Sequence, residues 1–130
     1  MITGSCHCGQ VSWTFDGMPD SATACNCTVC HRYGALWAYD HEGAAIHVSG
    51  ATRAYVHGHQ SLGFHFCDRC GCVAYWRSLT EGTDGRRRIA VNLRLADPQA
   101  VAALPIEHFD GLQTFDDLGQ DGRTVGQMWF

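Results

Sequence analysis

A mainly β domain built from several small antiparallel sheets, pinned by metal and carrying one short helix, is the fold that this sequence predicts. Three observations carry the prediction. Short segments rich in β-branched and aromatic residues alternate with Gly and His-Gly punctuation. Eight cysteines fall into close groups along 130 residues. Only one segment shows both a helix start and a helix stop.

The strand candidates, in order, are "QVSWTFDG", "ALWAYDH", "AIHVSG", "ATRAYVHG", "LGFHFC", "CVAYWRSL" and "RRRIAVNLRL". Alternation is clearest in "VSWTF", where Val11, Trp13 and Phe15 share one face and Ser12 and Thr14 take the other. The helix is "ADPQAVAAL": Asp97 is placed to cap it, Pro98 takes the first helical position and Pro105 stops it. The final stretch, "FDGLQTFDDLGQDGRTVGQMWF", is rich in Gly and Asp and reads as loop and tail. Its terminal "MWF" offers an apolar surface for docking on the body or for an isologous homodimer.

The length suits one domain over residues 1–130, and no Pro, Ser or Gln tract divides it. "MITGSCHCGQ" has neither a basic leader nor the apolar run of a signal peptide, and no apolar stretch is long enough to span a bilayer, so a cytoplasmic protein without a membrane partner is expected. A net charge of -4 disfavours nucleic acid as a partner. "GRRRIAV", the one basic cluster, reads as a solvated hairpin end.

Eight cysteines in that compartment point to metal thiolates rather than to disulfides. Cys67 and Cys70 form a C-x-x-C turn followed by Gly71, where the chain can turn left-handed. Cys6 and Cys8, two residues apart, fall on one side of an extended strand, and the two pairs together close a four-cysteine structural zinc site. Binding energies of about 10 to 16 kcal/mol for structural zinc match the stability of a whole domain, so the metal-free chain is expected to fold poorly.

Cys25, Cys27 and Cys30 remain, with Cys72 over. Were Cys72 the fourth ligand, the second site would be closed and the chain a two-zinc structural module. Were Cys72 a small buried residue, the second ion would keep an open position, as catalytic zinc does. Three thiolates leave such a site net negative, which suits thiol chemistry better than water activation. Metal-free, the same three cysteines would open a redox role.

The run "GSCHCGQV", "CNCTVCHRYGALWAY", "FHFCDRCGC" and "RIAVNLRLAD" followed by "FDG" resembles the glutathione-dependent formaldehyde-activating enzymes, the centromere-protein-V and formaldehyde-activating domain. The resemblance covers nearly the whole chain. It implies an Mss4-like fold with two zinc ions per chain, a structural one on Cys6, Cys8, Cys67 and Cys70 and a catalytic one on Cys25, Cys27 and Cys30. It also implies a carbon-sulfur lyase that condenses formaldehyde with glutathione to S-(hydroxymethyl)glutathione, its partners being a small-molecule thiol and an aldehyde. His31 and then Arg32 follow Cys30 where many members have Arg directly.

Arg32 could pair a glutathione carboxylate, and Asn92, polar in an apolar stretch, could face the site; loop pairing and backbone satisfaction are their ordinary alternatives. Trp37, Tyr39, Phe64, Phe66, Tyr75 and Trp76 are expected in the core, with one or two walling a cleft. The competing function is a non-catalytic zinc module for a protein partner, which requires a closed second site.

Overall fold

The computed structural model describes residues 1–128. Eleven strands, two α-helices and two 3-10 turns follow one another along it. The strands are β1 (Ile2–Ser5), β2 (Ser12–Phe15), β3 (Ala22–Cys25), β4 (Trp37–His41), β5 (Ile46–Ser49), β6 (Thr52–Val56), β7 (Leu62–Cys67), β8 (Val73–Ser78), β9 (Arg88–Asn92), β10 (Pro105–Phe109) and β11 (Asp117–Thr124). The helices are α1 (Thr28–Tyr33) and α2 (Pro98–Val101), and the turns are Leu93–Leu95 and Val125–Gln127.

A small sheet orders β1-β2-β5, and a large one orders β11-β10-β3-β4-β9-β8-β7-β6. Pairing is antiparallel except between β10 and β3, which run parallel. All seven expected strands form, and Trp13 and Phe15 are buried while Ser12 and Thr14 are partly exposed, as alternation required. The capped helix also forms: the Asp97 carboxylate accepts the Gln99 N–H at 2.8 Å and Pro98 opens α2.

Three parts of the expectation change. A second helix, α1, forms inside the "CNCTVC" segment and ends at Gly34. The terminal stretch is more than loop, because its Asp117–Thr124 segment pairs with β10 across two register shifts. Cys6 and Cys8 lie in a turn just beyond β1 rather than along it, with the Gly9 N–H bonded to the Cys6 carbonyl. Met128 packs against the main core, and the last two residues of "MWF" lie outside the described residues.

The large sheet separates two apolar clusters. Along β9, Ile89 and Val91 face the main core, with Trp13, Ile46 and Tyr75, whereas Ala90 faces a second cluster with Cys30, Trp37, Phe64 and Trp76. Burial of the larger apolar residues supplies the usual driving force, about 1.5–3 kcal/mol for each fully buried aliphatic or Phe side chain. The second cluster floors the candidate site. Among the described residues, no helix is long and apolar enough to cross a membrane.

Candidate metal centres and cavity

The cysteines assemble into two groups that could each hold a metal ion: Cys6, Cys8, Cys67 and Cys70, and Cys25, Cys27 and Cys30, the sulfurs of each lying within 4.8 Å of one another. Sulfur at about 2.3 Å from a tetrahedral zinc implies sulfur separations near 3.8 Å. Cys6 Sγ lies 3.6 Å from Cys8 Sγ, which lies 3.6 Å from Cys67 Sγ, so the four-thiol set fits a soft tetrahedral cation. Backbone donors reinforce it: Val11 N–H reaches Cys6 Sγ at 3.2 Å, and the amides of Arg69 and Cys70 reach Cys67 Sγ at 3.4 and 3.5 Å. Gly71, at φ 82°, lets the turn close by bonding back to the Cys67 carbonyl. Backbone hydrogen bonds from Cys72 and then Cys8 draw the Cys70 thiol down to about 5. This group joins the corner after β1 to the β7–β8 hairpin, and so clasps the two sheets together.

The second group is built on one short piece of chain. Cys25 ends β3, Cys27 caps α1 with its sulfur accepting the Cys30 N–H at 3.3 Å, and Cys30 lies within the helix. The Trp37 indole N–H donates to Cys30 Sγ at 3.3 Å, and Cys27 N–H to Cys25 Sγ at 3.5 Å. A hydrogen bond from the Cys30 thiol draws Cys25 down to about 6, while the same bond, with burial, pushes Cys30 far up. A clustered set of three soft donors, one readily ionised, suits zinc or a similar cation.

Cys72 belongs to neither group. It packs against the main core beside Cys70 and accepts a hydrogen bond from the His7 backbone.

Only the three-thiol group opens onto the large cavity, of about 640 Å3, that covers the second apolar cluster. Cys25, Cys27 and Cys30 line it together with Trp37, Tyr39, Phe64 and Trp76, while Phe66 and Tyr75 do not. The size and apolar lining are those of a small-molecule site. Tyr39 is its one phenol; burial pushes its pKa up to about 12, and its hydroxyl bonds to Thr23.

Arg32 and Asn92 do not line the cavity. Arg32 is exposed and donates to the Thr28 carbonyl at 2.8 Å. Asn92 is buried and satisfied, accepting from Leu36 and Arg94 N–H and donating to the Val73 carbonyl at 2.9 Å. Its polarity serves the backbone at the end of β9.

Several cavity residues escaped the sequence reading. Arg88, from the supposedly solvated "RRR", stacks its guanidinium 5.6 Å from the Trp76 ring centroid and faces the cavity. His57, His59 and Glu107 also line it. A loop after β10 forms one wall and is locked to the cysteine turn by Asn26, the residue between Cys25 and Cys27. Asn26 donates to the Asp110 carboxylate at 3.2 Å and accepts the Leu112 N–H at 3.1 Å. Asp110 also accepts from the amides of Gln113 and Thr114, the first of these being the main reason its carboxyl is held at about 2. Gly111 presses on the thiols: its N–H donates to Cys25, and a Cβ there would stand 2.6 Å from Cys25 Sγ. The Asn within C-N-C and the "FDG" triplet were the available signals.

Against known proteins, the family model described as glutathione-dependent formaldehyde-activating enzyme matches residues 1–109. No curated protein matches the chain. A crystal structure of a Rhodobacter sphaeroides protein is similar over 80% of this chain and 98% of that one, with 26% identity and a TM-score of 0.59. The cysteine groups, the cavity and the family match agree, and the chain belongs to the glutathione-dependent formaldehyde-activating enzyme family.

Proposed function

We propose that this protein is a zinc-dependent carbon-sulfur lyase-type enzyme that adds a thiol, glutathione in the first instance, to formaldehyde or another small aldehyde. The observation that carries the reading is the contrast in what the two groups face: three thiols line a cavity, and four tie distant parts of the scaffold together. Cys25, Cys27 and Cys30 are assigned the catalytic zinc, and Cys6, Cys8, Cys67 and Cys70 the structural one. A cation held there would supply Lewis acidity that favours the thiolate form of an incoming thiol near neutral pH.

The remaining roles fall to the chain. The three cysteines fix where the incoming sulfur sits, and the apolar wall of Trp37, Phe64 and Trp76 excludes water from it. Sulfur attacks the aldehyde carbon, the carbonyl π pair moves to oxygen, and the thiol proton ends on that oxygen to give a hemithioacetal. Tyr39, protonated at neutral pH, is placed to donate a hydrogen bond to that oxygen. The Trp37 indole and the Gly111 amide hold Cys30 and Cys25 in place.

The test is zinc per chain by native mass spectrometry, with and without glutathione, beside a formaldehyde-consumption assay. Two ions per chain, exchangeable contact of glutathione with one of them, and activity lost in Cys27→Ser are expected. Saturated coordination at both ions, with no glutathione effect and no turnover, would transfer the chain to the class of partner-binding zinc modules.

A further inference from the structure

Phe115 is held where a bulky residue seldom sits. Its φ of 61° lies in the left-handed region, a conformation that costs a bulky side chain free energy. It is also 76% exposed, more than any other aromatic side chain among the described residues. The loop that carries it is closed by its own backbone: the Phe115 N–H donates to the Asp110 carbonyl at 2.7 Å, and the Asp110 N–H to the Asp116 carbonyl at 2.9 Å. The turn therefore keeps an aromatic ring out of the core and at the cavity.

That ring stands at the thiol end. Phe109 is in register with Cys25, and Phe115 packs edge-on against Phe109 with ring centroids 4.9 Å apart. Leu112, 54% exposed, lines the cavity one residue beyond Gly111, which abuts the Cys25 sulfur. The charged groups do not favour an anion here. Arg88 pairs with His41 and lies on the other side of the Thr23–Trp37–Asn92 row from Cys25. Glu107, two residues before Phe109, and Asp117, in register with Phe109, both line the cavity beside the apolar wall.

A one-carbon aldehyde has two heavy atoms and takes about one or two water volumes, roughly 30–60 Å3. The cavity holds about 640 Å3, so formaldehyde leaves Leu112 and Phe115 without a contact. The peptide body of glutathione, with two carboxylates and an ammonium, is poorly matched to an apolar wall edged by two acids.

We infer that the aldehyde this cavity selects has an uncharged apolar body, an aryl aldehyde such as benzaldehyde in the first instance, with its carbonyl at the three thiols and its ring against Phe109, Leu112 and Phe115. The inference rests on the thiol-addition reading and names the electrophile. The bond changes are those of that reading: sulfur bonds to the carbonyl carbon, the π pair moves to oxygen, and oxygen takes the thiol proton.

Benzyl alcohol, an unreactive analogue, is titrated into the zinc-loaded wild type, Phe115→Ala and Phe115→Leu while tryptophan fluorescence is followed. Beside it, rates of glutathione addition to formaldehyde, benzaldehyde and 4-carboxybenzaldehyde are measured above the uncatalysed reaction. Wild type is expected to bind benzyl alcohol and to show a KM for benzaldehyde about ten-fold below those for the other two. Phe115→Ala should weaken benzyl alcohol binding about ten-fold and shrink the preference for benzaldehyde through KM, and Phe115→Leu should recover most of both. Equal KM values for formaldehyde and benzaldehyde, or a preference that Phe115→Ala leaves intact, overturn the inference while thiol addition stands. A KM for 4-carboxybenzaldehyde as low as that for benzaldehyde overturns the uncharged body. Absence of turnover with every aldehyde defeats the thiol-addition reading and the inference with it.

Discussion

The two cysteine groups use the same donor atom and differ in almost everything around it. Cys6, Cys8, Cys67 and Cys70 come from distant parts of the chain, Cys8 and Cys67 being 59 residues apart, and they join the two sheets. Cys25, Cys27 and Cys30 come from one turn and face a cavity. Ligand chemistry alone therefore does not decide what a zinc-type site does. Its span along the chain decides whether it holds the fold, and its fourth direction decides whether a small molecule can reach it.

The sharpest way to break this contrast is to remove one sulfur from each group. Cys67→Ser should unfold or severely destabilise the chain, a loss comparable with the ~5–15 kcal/mol stability of a whole domain. Cys27→Ser should keep a folded circular-dichroism spectrum and lose thiol addition. Equal unfolding by both would show that the second group is also part of the scaffold.

Gly111→Ala probes the open group through its wall. Its new Cβ would stand 2.6 Å from Cys25 Sγ and 2.9 Å from Cys27 Cβ, so the turn or the loop must move. On the proposed two-zinc reading, one zinc per chain should be lost, while the thermal midpoint changes little because the clasp between the sheets is untouched. Retention of two tightly held ions would mean that the loop, not the cysteine turn, gives way.

Tyr39→Phe tests the proposed donor. It should lower kcat about ten-fold with KM nearly unchanged, the signature of a contact made to the developing oxygen charge. An equal loss in KM would place Tyr39 in thiol binding instead.

The smallest effect concerns the loop. The Asp110 carboxyl, held at about 2 by the Gln113 amide and its neighbours, lies below its unfolded value, so its contribution is complete above that unfolded value. It is lost as pH falls through about 2. Protection of the Gln113 and Thr114 amides, taken relative to intrinsic exchange, should hold above the unfolded carboxyl value and fall away as pH drops towards about 2. In Asp110→Asn it should be low throughout, with metal content at the clasp unchanged.

How far the sequence disclosed this arrangement varied with the range of the signal. Strands and α2 were legible because alternation and capping are local, and both cysteine groups were legible because metal ligands come in fixed spacings. Helix α1 was hidden because its cap is Cys27, a residue not read as a cap. Strand β11 was hidden because "DLGQDGRT" has turn composition and becomes a strand only through its pairing with β10. Arg88 and Asn92 exchanged expected roles for a different reason. Both lie on the same alternating face of β9, and which end of that face is open depends on what packs above it. Chain pattern alone does not supply that.

The parallel pairing of β10 with β3 brings Phe109 beside Cys25, so one wall of the cavity is laid down by a part of the chain made long after the cysteine turn. On a ribosome the order of events follows from this. The Cys25–Cys30 turn is complete within six residues and can capture an ion as soon as it emerges, whereas the other group must wait for Cys70 and the closure of a long loop. Until residue 111 arrives, the nascent chain presents three thiols with no wall over them. The three thiols are thus made early and covered late, so the order of synthesis leaves them more open to oxidants and competing metals than the finished fold does.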